Sequence, residues 1–180
     1  MPLIILDRDG VINQDSDNYI RTVAQWIAIP SSITAIANLS KAGYKIAIAT
    51  NQSGIGRGYY TLDTLAAIHH KMTALVAAAG GTIDHIAYCP HTPDDDCICR
   101  KPKPAMLLQI LEKYQFRASD AWFVGDSLRD LEAAWAINMP TALVKTGKGQ
   151  RSLDRGNIPA QTPVFADLAS FSQQRLKERA

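Results

Sequence analysis

Five short apolar runs, at residues 3–7, 45–50, 85–89, 121–126 and 141–146, each read as a strand. Leu3-Ile4-Ile5-Leu6 and Ile46-Ala47-Ile48-Ala49 lack polar alternation, the mark of strands covered on both faces. Between the runs, apolar residues fall at helical spacing. Ile33, Ile36, Ala37 and Leu39 follow Pro30-Ser31-Ser32, where the serines predict an N-cap, and Gly43 supplies the stop. Thr61 opens a second helix with Leu62, Leu65, Ile68, Met72, Leu75, Val76 and Ala79 on one face. Met106, Leu107, Ile110, Leu111 and Tyr114 mark a third; Leu128, Leu131 and Trp135 mark a fourth; a terminal helix is predicted from about Phe165. Residues 152–163 have no periodicity and read as surface loop. Strand–helix alternation predicts a doubly wound α/β fold, a parallel sheet with helices on both faces. With 180 residues, no repeat and no low-complexity linker, residues 1–180 are expected to form one domain.

In such sheets ligands bind at the carboxyl ends of strands, and three of the runs end there on polar residues. The first runs into Asp7-Arg8-Asp9-Gly10. Two carboxylates this close either share a metal or divide nucleophile and acid roles. The second runs into Thr50-Asn51-Gln52-Ser53-Gly54, whose hydroxyl and amide groups can donate to phosphate oxygens. The fourth ends on Gly125-Asp126, with Asp130 one helical turn on. Arg100-Lys101-Pro102-Lys103-Pro104 adds cations, Lys103 being read as a solvated charge.

Nineteen basic against seventeen acidic residues leave a net charge of +2, which gives no argument for nucleic acid or membrane. No secretory signal and no membrane-length apolar segment are visible, so a cytoplasmic location with reduced thiols is expected. The three cysteines are an odd number and cluster with a histidine as Cys89-Pro90-His91 and Cys97-Ile98-Cys99. Three thiolates and an imidazole make a closed tetrahedral Zn²⁺ set, structural in role because no ligand position is left for water. His69 and His70 diverge on a helix and read as surface residues.

The four polar stretches, in order, resemble motifs I to IV of the haloacid-dehalogenase-like phosphatases: D-x-D-G, a strand-end Thr, a Lys-Pro element and G-D-x-x-x-D. The resemblance implies Asp7 as nucleophile, Asp9 as general acid and base, and Thr50 and Lys101 as ligands of the phosphoryl group. It also implies Mg²⁺ held by Asp7, the Asp9 backbone carbonyl and Asp126, on a fold without a separate cap domain. More narrowly, Asp7–Asn13 as D-R-D-G-x-I-N, T-N-Q-S-G-I-x-R-G at 50–58 and C-R-K-P-x-P-x-M-L at 99–107 resemble the heptose-bisphosphate phosphatases of that family. This implies a small sugar-phosphate substrate, a monomer, and substrate contacts from Asp15, Ser16, Asp17, Asn18, Asn51, Gln52, Ser53, Arg57 and Arg100, with Lys148 a further cation. Ala105 stands where that pattern has Gly, and Ser127 where Lys is frequent. The histidinol-phosphate phosphatases are the nearest rival, disfavoured by the loop at 53–58. A non-catalytic zinc-loop interaction module is the alternative of another class; it has no use for three strand-end carboxylates.

Overall fold

A computed structural model describes residues 2–179. Its centre is the run Leu3–Leu6, strand β1, with all four side chains buried. It is flanked by parallel β2 (Lys45–Asn51) and β4 (Ala121–Gly125), with Leu6 level with Ile48 on one side and Val124 on the other. β3 (His85–Cys89), β5 (Thr141–Val144) and β6 (Val164–Phe165) complete a six-stranded parallel sheet of order β3-β2-β1-β4-β5-β6. After β3 the chain crosses back over β2 and β1 to lay down β4, so the order reverses between β1 and β4. A crevice opens at such a reversal, beyond the strand ends.

Alternate strand residues face opposite sides, and two cores result. Ile4, Leu6, Ile46 and Ile48 pack against α1 (Pro30–Lys41), α2 (Leu62–Ala78) and α6 (Leu168–Lys177) through Ile36, Leu39, Ile68, Met72, Val76 and Phe171. Leu3, Ile5, Ala47 and Ala49 pack against α3 (Ala105–Tyr114) and α4 (Leu128–Trp135) through Met106, Leu107, Ile110, Ala133 and Ala134. Each such large side chain contributes roughly 1.5–3 kcal/mol, so the strand ends are set on a stiff base. The second-helix cap is as predicted, with Thr61 accepting from the Thr64 N–H at 3.1 Å.

Three expectations are corrected. Helix α1 begins at Pro30, whose fixed φ suits a first helical position; Ile29 is the N-cap, and no serine caps it. Ser32 is buried instead and donates its hydroxyl to the Val11 carbonyl at 2.7 Å. The supposed loop at 152–163 begins inside a short helix, α5 (Gly149–Asp154), too short to show a period. The terminal helix starts at Leu168, capped by Asp167, because 164–165 are taken by β6. No helix of the described residues is long and apolar enough to cross a membrane.

Candidate active site and metal centre

Asp7 stands one residue past β1, its N–H donating to the Val124 carbonyl at 2.9 Å. Asp126 stands one residue past β4, across the crevice. Lys101 reaches in from the connection of β3 to α3. Its buried ammonium lies 2.9 Å from Asp7 Oδ1 and 2.7 Å from Asp130 Oδ1, and donates to the Ala49 carbonyl at 2.8 Å. All three ammonium hydrogens are thus aimed. Asn51 holds the Lys101 backbone, donating to its carbonyl and accepting from its N–H, both at 3.0 Å. The Asn51 amide, expected on substrate, is used up in placing the lysine.

Asp130 closes a capping box with Ser127 at the start of α4. Its Oδ2 accepts from the N–H of Asp126 and of Ser127 at 3.2 and 3.0 Å and from the Ser127 hydroxyl at 2.7 Å, while its Oδ1 holds Lys101. It therefore fixes both Asp126 and Lys101, a role unassigned in the sequence reading although S-x-x-D at 127–130 is a capping-box signal.

Asp9 turns toward a different network. Arg8 forks onto both its oxygens at 3.0 and 2.9 Å, Asn13 donates to Oδ1 and Gln52 to Oδ2, each at 2.9 Å. Gln52 also donates to the Thr50 hydroxyl oxygen at 2.9 Å and accepts from Arg8 and the Tyr60 hydroxyl, at 3.0 and 2.6 Å. Thr50 itself is buried behind the wall rather than on it. His69, expected on the surface, is buried against Arg8 at 3.4 Å. Burial and the Arg8 charge push its pKa down to about 4, so it stays neutral.

The acids differ in their proton affinity. Burial first, then the charges of Asp130 and Asp9, raise Asp7 to about 6 against the pull of Lys101. Burial, Asp130 and Asp7 raise Asp126 well above the usual range, although the Lys148 N–H donates to it at 2.7 Å. Burial also acts to raise Asp9, but Arg8, Asn13 and Gln52 outweigh it and hold Asp9 low. Lys101 and Ser127 likewise outweigh burial at Asp130. Carboxylate oxygens of Asp7, Asp126 and Asp130 lie within 4.8 Å of one another, and Lys101 pairs with the first and the last. Two buried carboxylates and a half-buried one against one cation leave negative charge of the kind that a hard, oxygen-seeking divalent cation neutralises. Backbone is packed onto this group: a Cβ on Gly10 or on Gly147 would overlap Asp126 Oδ2, and both glycines have positive φ, at 84° and 57°.

A cleft of about 330 Å³ opens over these groups, lined by Asp15, Ser16, Asp17, Asn51, Gln52, Ser53, Arg57 and Arg100 among the expected substrate residues. Asn18 is outside it. A turn closed by the Ser16 hydroxyl, which accepts from the Asn18 N–H at 3.1 Å, leaves that side chain exposed. Asp15 pairs with Lys148 at 3.1 Å, and Asp17 with Arg151 at 2.9 Å. Two acids that would repel a phosphate are thereby masked, and Lys148 is tied rather than free. Arg129 and Tyr60 line the cleft unforeseen by the sequence reading.

Beside the cleft, Cys89, His91, Cys97 and Cys99 converge. Sulfur–sulfur separations are 3.0 to 3.6 Å, and His91 Nδ1 lies 3.6 and 3.3 Å from Cys89 and Cys99 Sγ. These are close to the edges of a tetrahedron around Zn²⁺, about 3.7 Å for zinc–sulfur bonds of ~2.3 Å. The three cysteines are unbridged. Lys103, read as solvated, donates to Asp96 and to the Cys97 carbonyl at 2.9 and 2.7 Å and so braces this loop.

Residues 98–171 match the HAD-hydrolase-like family model. The chain is 58% identical over 174 residues to the D-glycero-beta-D-manno-heptose-1,7-bisphosphate 7-phosphatase of Pseudomonas putida, covering 97% of this chain and 99% of that one. It is 51% identical to the enzyme of that name from Neisseria meningitidis, over 100% of this chain and 97% of the relative. The crystal structure of the D,D-heptose 1,7-bisphosphate phosphatase of B. bronchiseptica, complexed with magnesium and phosphate, superposes with a TM-score of 0.96 at 48% identity over 99% of both chains. Four strand-end or loop elements, a closed thiolate–imidazole set and full-length similarity at this level converge: the chain belongs to the heptose-1,7-bisphosphate 7-phosphatase family of HAD-like hydrolases.

Proposed function

We propose that this chain is a phosphatase that removes the 7-phosphate of D-glycero-beta-D-manno-heptose 1,7-bisphosphate by way of an aspartyl-phosphate. The observation that carries the reading is Asp7, at the tip of the central strand, with its carboxylate on the buried Lys101 ammonium and beside Asp126. The relatives supply the substrate. Asp7 Oδ attacks phosphorus, and the bond from phosphorus to the sugar oxygen breaks. Asp9 gives that oxygen a proton, then takes one from the water that attacks the aspartyl-phosphate, releasing inorganic phosphate and restoring Asp7. In the free site Arg8 keeps Asp9 anionic, the form that accepts the water proton; an adjacent phosphate dianion raises its proton affinity for the first half-reaction. Lys101 binds the phosphoryl oxygens. Asp7, the Asp9 carbonyl and Asp126 would hold Mg²⁺, which when bound draws charge from the phosphoryl oxygens.

The three unbridged thiols suit a reducing cytoplasm. Both heptose anomers and histidinol phosphate, compared under the same Mg²⁺ concentration, test the substrate. The beta heptose bisphosphate is expected to give the highest kcat/KM, by roughly tenfold or more over histidinol phosphate, the scale of one charged contact. Equal values would contradict the assignment.

The four-ligand cluster is proposed to hold one structural Zn²⁺ per chain. Elemental analysis of protein purified without chelator is expected to show it, surviving dialysis that strips Mg²⁺. Cys97→Ser is expected to lower Tm by several degrees, at ~2–4 °C per kcal/mol for a chain of this size, with little change in turnover per folded molecule. Zinc-free protein of full stability would refute the assignment.

A further inference from the structure

The cations around the cleft fall into two groups. Lys101 is bound to Asp7 and Asp130, Lys148 to Asp15, Arg8 to Asp9 and Arg151 to Asp17. Among the described residues, Arg57, Arg100 and Arg129 line the cleft without a carboxylate partner. Arg57 lies in the exposed stretch 56–59 of the loop after β2. Arg100 and Arg129 instead share two spaces, the main cleft and a recess of about 300 Å³ under the metal-binding loop.

Both guanidiniums sit where positive charge is disfavoured. Arg100 is half-buried and shares both spaces with the Arg129 guanidinium. Its guanidinium donates one long hydrogen bond, 3.3 Å, to the His91 carbonyl. Arg129 is the second residue of α4, in a first turn whose unpaired N–H groups carry partial positive charge. A folded chain gains nothing locally from setting an arginine there, facing a second arginine. A dianion between them relieves the mutual repulsion, the adverse helix end and the burial of Arg100 together. Two planar forks with four donor edges suit tetrahedral phosphate oxygens, where an ammonium would offer a point charge. The reacting phosphoryl group belongs with Lys101, so the group seated here is another one on the same substrate.

We propose that Arg129 and Arg100 form a two-guanidinium seat for the phosphate that is not cleaved, and that Arg129 is thereby a specificity residue of this enzyme. The proposal deepens the sugar-bisphosphate reading and rests on it. The seat lies at the junction of α4 and the metal-binding loop, so it reads the distance between the two phosphates of a substrate. A monoester reaches Lys101 without touching it.

Steady-state kinetics of Arg129→Ala, Arg129→Lys, Arg100→Ala and the double variant, on heptose 1,7-bisphosphate and on p-nitrophenyl phosphate, test it. Arg129→Ala is expected to raise KM for the bisphosphate roughly tenfold or more, the usual scale for a hydrogen bond to a charged group, with kcat within threefold. Its kcat/KM on p-nitrophenyl phosphate is expected to stay within twofold of wild type. Arg129→Lys should recover only part of the loss. The double variant should lose less than the product of the two single losses, since both residues hold one group. An unchanged KM for the bisphosphate in Arg129→Ala, or equal losses on both substrates, overturns the seat and leaves the bisphosphate reading standing. A wild-type enzyme that treats the two substrates alike overturns both.

Discussion

Asp7→Asn is expected to abolish phosphate release from a chain that still folds. The carboxamide is isosteric and a poor nucleophile, and losing a residue that forms the covalent intermediate removes on the order of 10⁴–10⁶ in kcat. The site should survive the change. Burial and the neighbouring acids already raise Asp7 to about 6, so removing its charge relieves repulsion with Asp130 and Asp126. Lys101 keeps Asp130 at 2.7 Å and the Ala49 carbonyl at 2.8 Å. A melting temperature at or above that of the wild type, retained binding of inorganic phosphate by calorimetry and no turnover are the combined expectation. Hydrolysis above a tenth of the wild-type rate would refute covalent catalysis by Asp7.

Lys101→Ala is expected to damage both catalysis and the fold, which sets it apart from Asp7→Asn. The phosphoryl group loses a preorganised cation, a loss of ~100-fold or more in kcat. In addition Asp7 and Asp130 are left buried without their common partner, and Asp130 is the acid that caps α4 and orders the Asp126 backbone. Breaking a buried pair by removing one member typically destabilises by about 3–5 kcal/mol, or roughly 10 °C in Tm at this chain length. Differential scanning calorimetry beside steady-state kinetics measures the two losses. Lys101→Arg should not rescue, because three aimed hydrogen bonds fit a compact ammonium and not a planar fork. A Lys101→Ala chain of unchanged Tm would show that the carboxylates do not depend on the lysine.

The parts legible in the sequence were those that repeat or that end abruptly. Buried runs such as Leu3–Leu6 carry no alternation, and α2 shows its apolar face over 17 residues, so strands and long helices announced themselves. Strand-end carboxylates and the C-x-H, C-x-C spacing placed both clusters, since topology fixes where strand ends meet. Short elements were lost: two residues of β6 and six of α5 are fewer than any period needs. The division of labour among polar groups was also lost. Asn51 and Gln52 both line the cleft, as expected of substrate contacts, but their amides also hold Lys101, Asp9 and Thr50 from the side, and which way an amide faces is decided by tertiary neighbours. His69 looked like a surface residue because its partner, Arg8, lies 61 positions away in sequence. Arg129 carried no signal, since an arginine at a helix start runs against the local preference.

Gly10 and Gly147 stand back to back against the Asp126 carboxylate, with no room for a side chain on either. This divides the molecule by how freely a lineage can change it. Around Asp7 and Asp126 two turns from distant parts of the chain meet backbone to backbone, and almost any substitution there displaces a carboxylate the chemistry needs. At the rim, Arg57 and Arg129 are exposed, and replacing either leaves the backbone beneath undisturbed. Descendants of such a chain can exchange one phosphate ester for another by drift at the rim while the hydrolytic centre is inherited whole. The glycine pair is what makes the reaction heritable apart from its substrate.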